Sequence, residues 1–182
     1  MTRLLITGFG PFGPHEVNPA SVLAENSGER FEILPVSYQA AMEFIAQLDP
    51  ETFDAWLMIG VHGGATRHHR ETVARNWAGL VPDVEGFVSG PGPLDPAGPW
   101  QVSGTLWSDL DWNNSERHDW TVDAGDYLCN ALFYYGVRAF PEKKLGFLHI
   151  PPFNVIPQSE QQAMLAEVIE EIKAAQAPRT KR

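Results

Sequence analysis

The chain carries a single cysteine, Cys129, among its 182 residues. One thiol forms no internal disulfide, so no covalent staple holds the fold, and a reducing cytoplasm is the expected compartment. Basic residues are also scarce: 13 Lys and Arg stand against 23 Asp and Glu, a formal net charge of -10. Nucleic-acid binders need a basic stripe and anionic membranes attract clustered Lys and Arg, so the balance argues against both partners. No apolar run approaches the roughly 18 residues of a membrane span. The opening run Leu4 to Thr7 is too short for the core of a secretory signal. Internal repeats, low-complexity tracts, a G-x-S-x-G elbow and an H-E-x-x-H helix are all missing.

What remains is the composition of an ordinary soluble protein, 43% hydrophobic and 20% charged. The length suits one domain with a sizeable core, expected over residues 1–176, followed by a flexible basic tail at 177–182. Short apolar runs read as strands at Leu4 to Thr7, Phe31 to Val36, Ala55 to Val61 and Leu145 to Ile150, with a further strand from Glu71 to Trp77. Helical spacing marks Pro19 to Asn26, with Asn18 as N-cap, then Gln39 to Leu48, Gly125 to Gly136 and Ser159 to Ala175. Ser159 and Gln162 predict a capping box on the last helix. Residues 79–120, rich in proline, glycine and tryptophan, read as long surface loops with at most one hairpin. Strands alternating with helices predict an α/β fold, a sheet covered on both faces, with sites gathered beyond the carboxyl ends of its strands.

Gly8, Gly10 and Gly13 complete a G-x-G-x-x-G after the first strand. Pro11 and Pro14 disallow the helix that a dinucleotide site needs, and the second strand ends Pro35-Val36-Ser37 where a ribose-binding acid belongs. A rigid loop presenting Phe9 and Phe12 fits better. Two phenyl faces hold a small flat ring, unless both rings belong to the core. His62, His68 and His69 lack the companion ligands of a metal site and read as solvated loop histidines. Cys129 falls at a predicted helix start and His149 at a strand end. A helix N-terminus or a neighbouring imidazolium lowers a thiol pKa, and the thiolate is the nucleophile. A buried structural cysteine is the alternative. Glu71 can supply the carboxylate that fixes an imidazole tautomer.

Taken together, four ordered blocks resemble the pyroglutamyl peptidase I family, also called pyrrolidone-carboxylate peptidases, which are cysteine peptidases. They are Thr7-Gly8-Phe9-Gly10-Pro11-Phe12-Gly13 with Val17-Asn18-Pro19; Gly60-x-x-Gly63-Gly64 with Glu71-x-Val73-Ala74-x-Asn76; Ala124 to Asn130; and Gly146 to Pro151. The resemblance implies Cys129 as nucleophile, His149 as general base and acid, and Glu71 as orienting carboxylate. It implies Phe9 and Phe12 around a pyroglutamyl ring, with Asn18 shaping the first loop. It further implies a single three-layer α/β/α sandwich with a mostly parallel central sheet, a homotetramer, no metal and no cofactor. The substrates would be peptides or small amides with an N-terminal pyroglutamate.

The chain departs from the family pattern at Val61, where glutamine is usual, and at Ala65, where arginine is usual. The stretch Gly79-Leu80-Val81-Pro82-Asp83 is one residue short and lacks a further arginine. Arg67, Arg70 and Arg75 are the candidate replacements. These departures leave open a weak or inactive relative that binds a lactam, or an enzyme for another N-acyl amide.

Overall fold

The structure, a computed structural model, describes residues 2–13, 16–110 and 116–176. The expected tail at 177–182 lies outside them. Among the described residues, eight strands and four α-helices follow in the order β1 (Leu4–Phe9), α1 (Pro19–Glu25), β2 (Arg30–Leu34), α2 (Tyr38–Gln47), β3 (Ala55–Val61), β4 (His68–Glu71), β5 (Val73–Arg75), β6 (Gln101–Ser103), β7 (His118–Thr121), α3 (Leu128–Ala139), β8 (Lys144–Ile150) and α4 (Gln158–Ala175). Six strands form the central sheet in the order β2-β1-β3-β8-β4-β7. The first four of these run parallel, while β4 is antiparallel to β8 and parallel to β7.

Strand alternation sorts the core into two halves. Leu5, Phe9, Trp56, Met58, Leu145 and Phe147 pack with α2 and α3 on one face. Leu4, Ile6, Leu57, Ile59, Leu148 and Ile150 pack with α1 and α4 on the other. Central strands buried on both faces read as unbroken apolar runs, which is why β1, β3 and β8 were legible. The result is the expected three-layer α/β/α sandwich with a mostly parallel sheet.

Local chemistry sets the helix starts. Asn18 Oδ1 accepts from the Ala20 N–H, and Pro19 occupies the first helical position of α1. Ser37 caps α2 through the Ala40 N–H. The expected capping box on α4 does not form: the helix begins at Gln158, Pro157 sits at the cap, and Gln162 reaches instead to the Asn26 carbonyl. The apolar face of α4 is buried as expected, at Met164, Leu165, Val168, Ile169 and Ile172. Helix α3 starts at Leu128 rather than Gly125, because Gly125 has φ +84°, outside the right-handed helical region.

Two further expectations need correction. The strand foreseen from Glu71 to Trp77 is broken at Thr72, whose N–H and hydroxyl both donate to the Thr121 carbonyl. β4 therefore ends at Glu71 in the main sheet, and β5 turns away to pair with β6. The segment 79–120 is also more than loops. It contributes β6 and the edge strand β7, and its Leu106 and Trp107 are fully buried against the sheet. Proline and glycine density hid strands only three and four residues long.

Gly8 shows how closely α1 is docked. A Cβ built there would lie 2.5 Å from the Ala20 carbonyl oxygen. Gly8→Ala must push α1 off the sheet, and overpacking of this kind costs about 1–3 kcal/mol. Urea unfolding is expected to show a lowered midpoint with an unchanged slope.

Candidate active site

Three neighbouring strands and one helix build the site. In the β3–β8 register Gly60 stands opposite His149. In the antiparallel β8–β4 register His69 stands opposite His149, and Glu71 opposite Phe147. All of these positions face α3. The helix lays Cys129 over Gly60, close enough that a Cβ on Gly60 would meet Cys129 Sγ at 2.7 Å and Phe147 Cζ at 2.8 Å. A glycine is required there for the sulfur to approach the strand that borders His149.

His149, only 4% exposed, is held at one ring nitrogen by Glu71. Its Nδ1 lies 2.8 Å from Glu71 Oε1, and the Cys129 side chain acts on the ring electrostatically. The second carboxylate oxygen of Glu71 accepts from the Thr121 hydroxyl, while Trp107 Nε1 donates to the Glu71 backbone carbonyl. Glu71 is itself 1% exposed. Burial works against a charge on His149, but Cys129 and Glu71 outweigh it, and the imidazole pKa is pushed up to about 9.

The start of α3 is also prepared. Tyr127 provides no side-chain cap, and Ala131 is the first residue whose N–H bonds back into the helix, to the Tyr127 carbonyl. The N–H groups of Leu128, Cys129 and Asn130 thus precede the helical hydrogen bonding and form a cradle for negative charge. Asn130, fully buried, accepts from the Arg75 N–H and donates to the carbonyls of Arg75 and Trp77. It pins the helix start to β5. Sequence reasoning quoted Asn130 only as part of a block and gave Thr121 no role. A buried amide following the thiol was the available signal for the first. Thr121 carried none.

The aromatic pair divides. Phe9 is 4% exposed and belongs to the core, whereas Phe12 is 43% exposed and walls two cavities. One cavity, of about 560 Å³, is bounded by Phe12, Val81, Pro82, Val84 and Tyr127 and adjoins the α3 start. Its far wall is preformed. The Tyr127 hydroxyl donates to the Pro82 carbonyl, and the buried Asp83 carboxylate accepts from the N–H groups of Tyr38, Glu85 and Phe87. Burial raises the Asp83 pKa, and these backbone donors more than reverse that, leaving it below its ordinary value. Asn18 shapes the first loop from below, its Nδ2 donating to the Gly10 carbonyl. Pro14 and His15 lie outside the described residues.

The loop histidines need correction. His68 and His69 are strand residues of β4. His68 is buried on the α4 side, within 3.3 Å of Gln161 Oε1, and burial pulls its pKa down to about 4. His62 is exposed, with ring centroids 5.4 Å from His69 and 5.7 Å from His149. Among the described residues no group of three or more His, Cys, Asp or Glu could hold a metal ion. Each candidate arginine has an acidic partner: Arg67 meets Asp119 at 3.4 Å, Arg70 meets Glu171 at 2.8 Å on the α4 side, and Arg75 pairs with Asp123.

An α/β sandwich presenting cysteine, histidine and glutamate in line at the carboxyl edge of its sheet has the make-up of a cysteine hydrolase. The comparisons specify which. A family model described as pyroglutamyl peptidase matches residues 2–177. The pyrrolidone-carboxylate peptidase of Levilactobacillus brevis is 31% identical, covering 86% of each chain. Pyrrolidone-carboxylate peptidase 1 of Caldanaerobacter subterraneus is 30% identical, covering 95% of each. The crystal structure of pyrrolidone carboxyl peptidase from Thermus thermophilus is 28% identical with a TM-score of 0.74, covering 90% of this chain and 98% of that one. The enzyme from Fervidobacterium islandicum, 22% identical, shares the fold with a TM-score of 0.80, over 94% of this chain and 98% of that one. The chain belongs to the pyroglutamyl peptidase family.

Because the His149 pKa is raised on folding, its charged form adds stability that is complete below the unfolded value near 6.5 and is lost as pH climbs through about 9. Glu71→Gln removes part of the cause. The stability gap between wild type and Glu71→Gln, measured by urea unfolding across pH, is expected to be widest below about pH 6.5 and to narrow toward pH 9 and above.

Proposed function

We propose that this chain is a cysteine-type peptidase that removes an N-terminal pyroglutamyl residue from peptides and small amides. The observation that carries the reading is the line from half-buried Cys129 to the buried pair His149 and Glu71. An N-terminal pyroglutamate has no free amine, so recognition by a cation-binding acid is not available to it. A compact neutral lactam suits the cavity beside Phe12, Val81, Val84 and Tyr127, with few polar contacts.

With the shared proton on His149, Cys129 Sγ would attack the carbonyl carbon of the pyroglutamyl residue. The oxyanion formed would meet the unbonded N–H groups of Leu128, Cys129 and Asn130. On collapse, the C–N bond breaks and His149 gives its proton to the departing amine. Water, deprotonated by His149, then attacks the thioester carbonyl; the C–S bond breaks, pyroglutamate is released, and the proton stays shared between His149 and Cys129. Glu71 holds Nδ1–H throughout, which leaves the other ring nitrogen for these transfers. Among the described residues no helix is long and apolar enough to cross a membrane. A reducing cytoplasm would keep Cys129 as a thiol. Assembly into a homotetramer is part of the same proposal, with exposed Trp77 and Trp100 available for subunit contact; light scattering of the purified protein tests it.

A second reading is favoured by the acidic partners of Arg67, Arg70 and Arg75. With each of them engaged by a carboxylate, the site would bind a lactam and turn it over slowly. Pyroglutamate raising the melting temperature, without hydrolysis of any pyroglutamyl amide, is the outcome that reading requires.

The deciding measurement is release of a fluorogenic amine from a pyroglutamyl amide under reducing conditions. Wild type is expected to turn over, and Cys129→Ser to lose about a thousandfold or more in kcat while remaining folded. Retained turnover in Cys129→Ser would end the proposed mechanism.

A further inference from the structure

A second cavity, of about 430 Å³, also borders Phe12. Its walls are mainly apolar: Phe12, Val17, Pro19, Val61, Pro152 and Phe153. Asn18 also borders it, but both ends of that amide are engaged, at the Gly10 carbonyl and the Ala20 N–H. The mechanism above has no use for this cavity.

We infer that the cavity is the subsite for the side chain of the residue that follows pyroglutamate, and that it selects a bulky apolar one. The inference rests on the peptidase reading and names the substrate class for it. Geometry supplies the direction. The acyl half of the substrate must lie on the Cys129 side of the scissile bond. There the first cavity is bounded by Tyr127, two residues before the thiol. The leaving half must lie on the side from which His149 delivers its proton. Past His149, β8 runs out through Ile150 and Pro151 into Pro152 and Phe153, while β3 runs out beside it through Val61, His62 and Gly63. The His62 N–H donates to the Ile150 carbonyl, and the His62 ring contacts that of His149. Val61 and Gly63, which flank His62, both border the second cavity. Phe12 is shared by the two cavities, so a peptide with its ring in the first has the second as the neighbouring compartment for its next side chain.

The cavity is built rather than incidental. Gln161, fully buried, donates to the carbonyls of Pro151 and Ile156, fixing the ends of the loop that carries Pro152 and Phe153. Val61 supplies a hydrocarbon wall at the position where the sequence departs from the glutamine usual in its family. A cavity of this size and lining takes a benzyl or isobutyl group and offers little to a carboxylate.

The test compares kcat/KM of the wild-type enzyme on pyroglutamyl-phenylalanine amide, pyroglutamyl-leucine amide, pyroglutamyl-alanine amide and pyroglutamyl-aspartate amide. Phenylalanine and leucine are expected to exceed alanine by about tenfold, the scale on which an apolar pocket discriminates, with aspartate lowest. In Phe153→Ala and Val61→Gln the phenylalanine-to-alanine ratio is expected to fall toward unity. The ratio is insensitive to any fraction of misfolded enzyme. Equal rates across the panel, or a ratio unmoved by both substitutions, would overturn the subsite and leave the peptidase reading intact. No cleavage of any pyroglutamyl amide by the folded wild type would overturn the peptidase reading, and the subsite with it.

Discussion

The hydrogen bond between Glu71 Oε1 and His149 Nδ1, 2.8 Å long and sealed from water, is the contact on which the site depends. A carboxylate 1% exposed is costly unless every oxygen is answered. Here the imidazole answers one oxygen and Thr121 the other. That requirement reaches outward. Thr121 is in place only because β7 pairs with β4, and Trp107 must sit where its indole can donate to the Glu71 carbonyl. Trp107 and the end of β7 thus support one ionisable pair. Removing one partner from such a buried pair typically costs about 3–5 kcal/mol, so the arrangement couples the chemistry of His149 to the stability of the sheet edge.

Where the sheet changes direction also matters. β8 has a parallel neighbour on one side and an antiparallel one on the other. The parallel neighbour offers Gly60 level with His149, which leaves a gap that the Cys129 sulfur fills. The antiparallel neighbour ends at Glu71, level with Phe147, so its carboxylate approaches the imidazole from the opposite flank to the thiol. A fully parallel sheet would need a long crossover to bring a third strand in at that register. The reversal at β4 does it with the short stretch between Val61 and His68.

Much of this was legible beforehand. The parallel strands announce themselves as apolar runs because both of their faces are buried, and Asn18-Pro19 marks a helix start by chemistry that no tertiary contact alters. Cys129, His149 and Glu71 stood out as candidates from their positions at element ends and from the ordered blocks around them, and the structure brings the three together. The rest was hidden for definite reasons. β6 and β7 are too short to carry a periodic signal, and Thr121 enters the site only through a pairing between distant segments. The Phe9 and Phe12 motif gave no indication that one ring ends a core strand while the other stands on the following loop.

The run His68-His69-Arg70-Glu71 shows why composition misleads at such a place. As a string it is a cluster of four polar groups and invites a metal or a solvated loop. As a strand it is two unrelated pairs, because successive side chains leave opposite faces. His68 and Arg70 go toward α4, where Gln161 and Glu171 receive them and Trp107 and Trp120 flank the guanidinium. His69 and Glu71 go toward α3 and the thiol. Arg70, adjacent to Glu71 in sequence, is therefore removed from it by the thickness of the sheet. Arg70 braces the fold from behind, and in the proposed mechanism the face toward the substrate is left to His69, His62 and the apolar side chains around Phe12.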